Sequence, residues 1–327
     1  MANKTAGDIS ALKKAVAHPK IDTSKIVDFA ALVDRLRKNY TTPPETGLYL
    51  GPTPIGNAED ITLRALKILD SVDIIACEDT RHTGSLLSRY GIATRRLAYH
   101  DYSGAKARRK LLDLLAEGKS IALVSDAGTP LISDPGYKLV LEALEENITV
   151  VPLPGPSAPT TALVFSGLPP DKYFFAGFLP TGGANRQRAL KELSTLTVTI
   201  LLLESPRKLG PTLGDLHTAL GDRKAALARE LTKLHEQIER AGLAHLAEKY
   251  QGTSVSLKGE LVIAIGPPSA PQLEYLRTTQ LEEASGPLKE ALKHMNTKGA
   301  VQYIAEATGL SKRLLYKRAL QLKQIKE

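Results

Sequence analysis

Four short turns, rich in glycine, proline and small polar residues, hold most of the side chains in this sequence that could do chemistry. One is Glu78-Asp79-Thr80-Arg81, continuing through His82-Thr83-Gly84. A second runs Ser125-Asp126-Ala127-Gly128-Thr129-Pro130-Leu131-Ile132-Ser133-Asp134-Pro135-Gly136. The others are Gly51-Pro52-Thr53-Pro54-Ile55-Gly56-Asn57 and Pro152-Leu153-Pro154-Gly155-Pro156-Ser157-Ala158. The carboxylates of Glu78, Asp79 and Asp126 could take a proton from a hydroxyl, and Arg81 could orient a substrate or grip a phosphate. Equally, Glu78 and Asp79 could do no more than serve a helix start, which favours carboxylates. The sequence therefore names no base.

Several familiar chemistries are excluded. No Gly-x-Gly-x-x-Gly follows the first apolar run and no Walker A lysine loop is present. Pro52 and Pro54 also remove backbone donors that a pyrophosphate cradle would use. The seven histidines include no His-Glu-x-x-His pair. Asp126 and Asp134 have no companions at a recognisable metal-ligand spacing, so no metal is expected. Ser125 and Ser157 lie in no Gly-x-Ser-x-Gly elbow. Cys77 is the one cysteine. Its place in the apolar run Val72–Cys77 predicts a buried small residue, and a lone thiol builds neither a disulfide framework nor a cysteine zinc site. A reducing, cytoplasmic setting is expected.

Each reactive turn follows a short apolar run. Leu48-Tyr49-Leu50, Val72–Ala76, Ile121–Val124 and Ile148–Val151 read as strands. Between them lie helical stretches marked by Ile61, Leu63, Leu66 and Leu69, by Leu86 and Leu87, by Leu111–Leu115 and by Leu139–Leu144. Continuous apolar strands alternating with helices predict a parallel sheet covered on both faces. Ligands bind beyond the carboxyl ends of such strands. Four turns gathered there would form a rim of exposed backbone suited to a ligand with an adenine, a ribose and a carboxylate. A second set of runs, Tyr173–Ala176, Val198–Leu203, Ala225–Ala228 and Leu261–Ile265, predicts a second α/β domain.

The expected organisation is an N-terminal extension over 1–46, α/β domains over 47–159 and 160–268, a linker over 269–287 and a basic helical tail over 288–327. A chain of 327 residues with 43% hydrophobic and 24% charged residues has enough core for this. In the extension, Val27, Ala30, Ala31, Val33 and Leu36 would give a helix one apolar side. Its five acidic residues weigh against a transit peptide. No signal peptide or membrane span is expected. The net charge of +8 permits a polyanionic partner without proving one. Much of it lies in the tail, with nine Lys and Arg against three Asp and Glu. There Ala305, Gly309 and Leu315 sit where a helix-turn-helix places its small, turn and core residues. Lys312, Arg313, Lys317 and Arg318 are expected to point outward, toward phosphates or only toward solvent, with Leu314, Leu315 and Leu322 packed inward.

The four turns, together with Gly177-Phe178-Leu179-Pro180, Glu204-Ser205-Pro206 and Ala228-Arg229-Glu230-Leu231-Thr232-Lys233, resemble the tetrapyrrole-methylase-like (class III) methyltransferases. Among these the similarity is to the enzymes that modify small-subunit ribosomal RNA, and it runs from about Gly47 to Gly266 and more weakly through the tail. The resemblance implies two α/β domains of the tetrapyrrole methylase type with S-adenosylmethionine in the cleft between them. It implies 2′-O-methylation of a cytidine ribose near the decoding centre, usually by a homodimer. Carried over by position, Pro54, Asp126, Ala127, Gly128, Ile132, Ser157, Ala158, Thr161 and Ala162 should line the donor site, closed by Glu204 and Ala228. Glu78, Asp79 and Arg81 are the catalytic candidates. The competing readings are a methylase of a flat tetrapyrrole (precorrin-like) macrocycle, and a non-catalytic nucleic-acid-binding protein.

Overall fold

The computed structural model describes residues 43–100, 104–252, 259 and 261–324. The helix expected around Val27–Leu36, like residues 1–42 as a whole, lies outside them.

The first half of the described chain alternates strand and helix. Strands β1 (Gly47–Gly51), β2 (Ile74–Cys77), β3 (Arg96–Ala98), β4 (Ser120–Val124) and β5 (Val150–Pro152) form one sheet in the order β3-β2-β4-β1-β5. Every pairing in it is parallel. Because side chains alternate along a strand, the apolar runs bury both faces. Tyr49, Ile75, Cys77 and Val124 face α1 (Leu63–Ser71) and α2 (Thr80–Arg89). Leu48, Ile74, Ile121 and Leu123 face α3 (Gly104–Ala116) and α4 (Tyr137–Glu145). Within α1 the core contacts are Ala65, Ile68 and Leu69, whereas Leu63, expected among them, is 48% exposed at the helix start.

Helix α5 (Ala158–Ser166) then leads into the second sheet. Its strands are β6 (Tyr173–Phe178), β7 (Thr199–Glu204), β8 (Lys224–Arg229), β9 (Gln237–Gly242) and β10 (Leu261–Ile265), in the order β6-β7-β10-β8-β9. Here β6–β7 is parallel and the remaining pairs are antiparallel. One face, with Ile200, Leu202, Leu227 and Ile263, packs on α6 (Gly183–Thr195), α7 (Leu209–Leu220) and α8 (Leu243–Tyr250). On the other face Leu201, Ala226 and Ala264 pack on Leu163 of α5, and Leu203, Ala228 and Val262 on Ala162. Strands β3 and β9 carry no continuous apolar run, which is why periodicity does not mark them.

Arg223, just before β8, is only 2% exposed. Its guanidinium donates to the carbonyls of Ser194 (3.2 Å) and Leu196 (3.0 Å) at the end of α6, and burial lowers its pKa. It satisfies carbonyls that a helix end leaves without partners. Replacing it with methionine strands those carbonyls. Arg223→Met is expected to lower unfolding free energy by about 3 kcal/mol in urea titrations. A change within ~0.5 kcal/mol would mean that the end of α6 needs no such strut.

After Ile265 the structure departs from expectation. The stretch 269–287, read as a linker, lies instead in the long helix α9 (Ala270–His294). Pro271 sits at the first helical positions, where its missing N–H costs nothing. The side chain of Gln272 accepts from the Ser269 N–H at 2.9 Å. Residues that look like a proline linker are therefore a helix start. Helices α10 (Thr297–Thr308) and α11 (Lys312–Gln324) pack on α9 around Leu288, Val301, Ile304 and Leu315.

Candidate active site

The carboxyl ends of β1, β2, β4 and β5 carry the four turns, and hydrogen bonds tie the turns together. Thr53 and Gly128 exchange two backbone bonds of 2.9 Å each, and the Thr53 hydroxyl donates to the Ser125 carbonyl at 3.0 Å. The Asp79 N–H donates to Asp126 Oδ1 at 3.3 Å. The Thr129 hydroxyl donates to the Pro156 carbonyl at 2.9 Å. A rim tied in this way holds its exposed groups before any ligand arrives, which lowers the ordering cost of binding.

The rim faces the second sheet across a cavity of about 570 Å3, within the usual range for small-molecule sites. From the first half, Ile55, Glu78, the turn Asp126–Thr129, Ile132–Pro135 and Ser157–Pro159 line it. From the second half come Phe178, Leu203, Glu230, Leu231, Lys233 and Val262. Four carboxylates, Glu78, Asp126, Asp134 and Glu230, meet one ammonium, Lys233, among the described lining residues. Such a wall favours a cationic ligand. Non-glycine residues with left-handed backbone cluster here: Leu131 (φ 73°), Ser133 (66°), Glu230 (51°) and Thr232 (63°). That conformation costs roughly 1–2 kcal/mol per residue, and such strain gathers at functional sites. Among the described residues no group of three or more His, Cys, Asp and Glu is placed to hold a metal, and no helix is long and apolar enough to cross a membrane.

The expected donor residues separate into two sets. Asp126, Ala127, Gly128, Ile132, Ser157 and Ala158 are part of the wall, whereas Pro54, Thr161, Ala162, Glu204 and Ala228 are not. Ala162 and Ala228 stand just behind it, in the buried cluster that includes Leu203, Leu231 and Val262. Thr161 is turned inward on its own helix, donating to the Ser157 carbonyl at 2.8 Å. Glu204 is set apart by strand parity. Leu203 takes the cavity face of β7, so Glu204 turns to the opposite face, where the Thr212 hydroxyl donates to it at 2.6 Å and the Ser205 N–H at 2.7 Å. Pro54 follows Thr53 in the turn without entering the wall.

The catalytic candidates also divide. Glu78 lines the cavity. Asp79 caps α2, accepting from the backbone N–H of Arg81 (2.7 Å) and His82 (3.3 Å), and its other oxygen lies 3.2 Å from the Arg81 guanidinium. The Arg81 side chain foremost, then the two backbone N–H groups, hold the Asp79 carboxyl at about 2. A carboxylate that acidic is a weak proton acceptor at neutral pH. The Arg81 side chain is 92% exposed, outside the cavity and open to a large substrate.

Sequence reasoning missed Phe178, Leu203, Glu230, Lys233 and Val262. Phe178, Glu230 and Lys233 lie in motifs that carry the resemblance. The rule that ligands gather beyond the carboxyl ends of parallel strands does not reach the turn after β8, which lies in the antiparallel part of the second sheet.

Two α/β sheets sharing one acid-walled cleft, where strand-end turns meet, define the class of two-domain methylases. Residues 47–247 match the Tetrapyrrole (Corrin/Porphyrin) Methylases, and residues 279–323 match the RsmI C-terminal HTH domain. The "Ribosomal RNA small subunit methyltransferase I" of Mesorhizobium japonicum is 47% identical over 86% of this chain and 94% of its own. The protein of the same name from Escherichia coli O157:H7 is 45% identical over 84% and 94%. The chain belongs to the tetrapyrrole methylases and, within them, to the ribosomal RNA small subunit methyltransferase I family. Its fold is shared with the uroporphyrin-III C-methyltransferase of Thermus thermophilus, solved in complex with S-adenyl homocysteine. The TM-score is 0.50 at 18% identity, covering 67% of this chain and 97% of that one.

Proposed function

We propose that this protein transfers a methyl group from S-adenosylmethionine to the 2′-hydroxyl of a cytidine ribose in small-subunit (16S) ribosomal RNA, near the decoding centre. The observation that carries the reading is the presence in one chain of an acid-walled cavity and a helix, α11, with five cations and no acid. The names of the close relatives support it. The cytoplasm is where such a substrate would be met. A homodimer is the expected form, and Val164 (82% exposed) and Leu234 (92% exposed) leave apolar surface for a second copy.

The cavity fits the donor. Its carboxylates suit a sulfonium, and Ile55, Leu203, Leu231 and Val262 offer apolar surface to an adenosine. Helix α5 opens at the wall, and its cap residue Ser157 makes no side-chain cap bond, so the helix start is available to a carboxylate. When bound, the donor supplies a methyl group already activated on sulfur. What remains for the protein is mainly to position the hydroxyl. Glu78 is the carboxylate better placed to accept its proton, since Asp79 is committed to Arg81 and the start of α2.

In the tail, Lys312, Arg313 and Lys317 are exposed on α11. Arg318, expected beside them, is half-buried and donates to Ser285 Oγ on α9 at 2.8 Å, which makes it a strut between helices. Leu314, expected in the core, is 36% exposed, whereas Leu315 is fully buried. Changing Lys312, Arg313 and Lys317 together to alanine is expected to lower the log–log salt slope of RNA binding by roughly two to three. Donor affinity, read by calorimetry, should not change. An unaltered salt slope would leave the tail a packing element.

A macrocycle acceptor would have no use for the cationic helix, and a protein that only binds nucleic acid would have no use for the cavity. Nucleoside mass spectrometry of treated small subunits tests the finer assignment. A new 2′-O-methylcytidine is expected, and a methyl group found only on a base would overturn it.

A further inference from the structure

The turn after β8 reaches across the cleft and is clasped by the first half of the chain. The Asn57 N–H donates to Thr232 Oγ1 at 2.9 Å. A Cβ at Gly56 would stand 2.6 Å from the Leu231 carbonyl oxygen and 2.6 Å from Lys233 Cγ, so nothing larger than glycine allows this approach. The Thr232 N–H donates to Glu236 Oε2 at 2.7 Å, and both Glu230 and Thr232 have left-handed backbone. The clasp also fixes two charged side chains. Lys233 Nζ lies 2.9 Å from Glu230 Oε1, with side chains 42% and 22% exposed, and both residues line the cavity.

We propose that Lys233, steered by Glu230, is the acceptor-side positioning residue: its ammonium holds the phosphodiester next to the reacting hydroxyl at the cavity rim. The inference rests on the RNA reading above. A sulfonium and an ammonium repel, so Lys233, the one lysine among the described residues of an otherwise acidic wall, belongs where negative charge enters from outside. In RNA the 2′-hydroxyl and the 3′-phosphate sit on adjacent ribose carbons. A cation that grips that phosphate therefore also fixes the hydroxyl, and an ammonium is a compact point charge suited to this. Glu230 narrows the reach of the flexible lysine stem, and the strained turn holds Glu230.

Three variants test this: Lys233→Met, Lys233→Arg and Glu230→Gln. The probes are S-adenosylmethionine in calorimetry and small ribosomal subunits from cells lacking the native enzyme in single-turnover transfer. Lys233→Met should bind the donor within about threefold of the parent yet transfer about 50-fold more slowly at saturating subunits, because misplacement costs rate rather than affinity. Lys233→Arg should recover to within about fivefold of the parent, since a guanidinium also holds phosphate. Glu230→Gln should fall between the two. A tenfold or greater loss of donor affinity in Lys233→Met would place the lysine on the donor and overturn the assignment. Parental transfer rates would overturn it too, as would equal loss in the Met and Arg variants with lowered melting temperatures. Failure of the parent itself to methylate subunits while still binding donor would overturn the RNA reading on which this one stands.

Discussion

A Gly128→Val variant is expected to bind S-adenosylmethionine about 100-fold more weakly than the parent while still folding. Gly128 has φ 81°, in the left-handed region, and its backbone pairs with Thr53 in both directions. A Cβ there would touch Ile55 Cγ2 at 3.4 Å, and both residues line the cavity. Two effects follow, the first on stability and the second on binding. A β-branched residue in this conformation is strained by roughly 1–2 kcal/mol. Its extra methyl groups also occupy space that the ligand needs. Calorimetry on a variant with a cooperative melt reads the effect directly. Unchanged affinity would place the donor elsewhere than over the Asp126–Thr129 turn.

Arg81→Ala is expected to slow methyl transfer to ribosomal subunits by about 100-fold while donor affinity stays within a few-fold of the parent. The side chain projects almost wholly into solvent beside the cavity mouth, anchored at 3.2 Å to Asp79. Asp79 fixes its direction and leaves other guanidinium donors for a phosphate. The same loss in donor binding would move Arg81 into the donor site, and normal transfer would remove it from the reaction. The substitution also frees the Asp79 carboxyl, whose pKa of about 2 owes most to Arg81. That pKa should rise toward the ordinary carboxylate range, which a carboxyl NMR titration would read.

The parallel first sheet was legible because its strands bury both faces and so read as unbroken apolar runs. Its reactive turns were legible because strand ends in such sheets carry the ligand. What the sequence hid has physical causes. Strands β3 and β9 are short or polar edges, with Arg96 and Ala98 exposed in the first and Gln237 and Arg240 in the second. They owe their place to pairing with a neighbour rather than to a hydrophobic pattern. The Glu204 side chain lies on the face of β7 away from the cavity lining, which resemblance could not show because it gives a position but not a strand face. Arg318 looked solvated, yet the turn at Gly309 swings α11 so that its guanidinium meets Ser285 on α9. Glu230 and Lys233 carry no periodic signal of their own in the sequence, and only the packing of Gly56 against their turn brings them to the cleft.

In the proposed reaction one cleft binds the methyl donor and serves an RNA acceptor delivered by the basic tail. The most direct measurement incubates the purified protein with methyl-labelled S-adenosylmethionine and, in parallel, with small ribosomal subunits from cells lacking the native enzyme and with a tetrapyrrole macrocycle. Label in the RNA of the subunits, abolished by Gly128→Val and absent from the macrocycle, is the predicted result. Label in the macrocycle alone, or none in either when donor binding is intact, would contradict it.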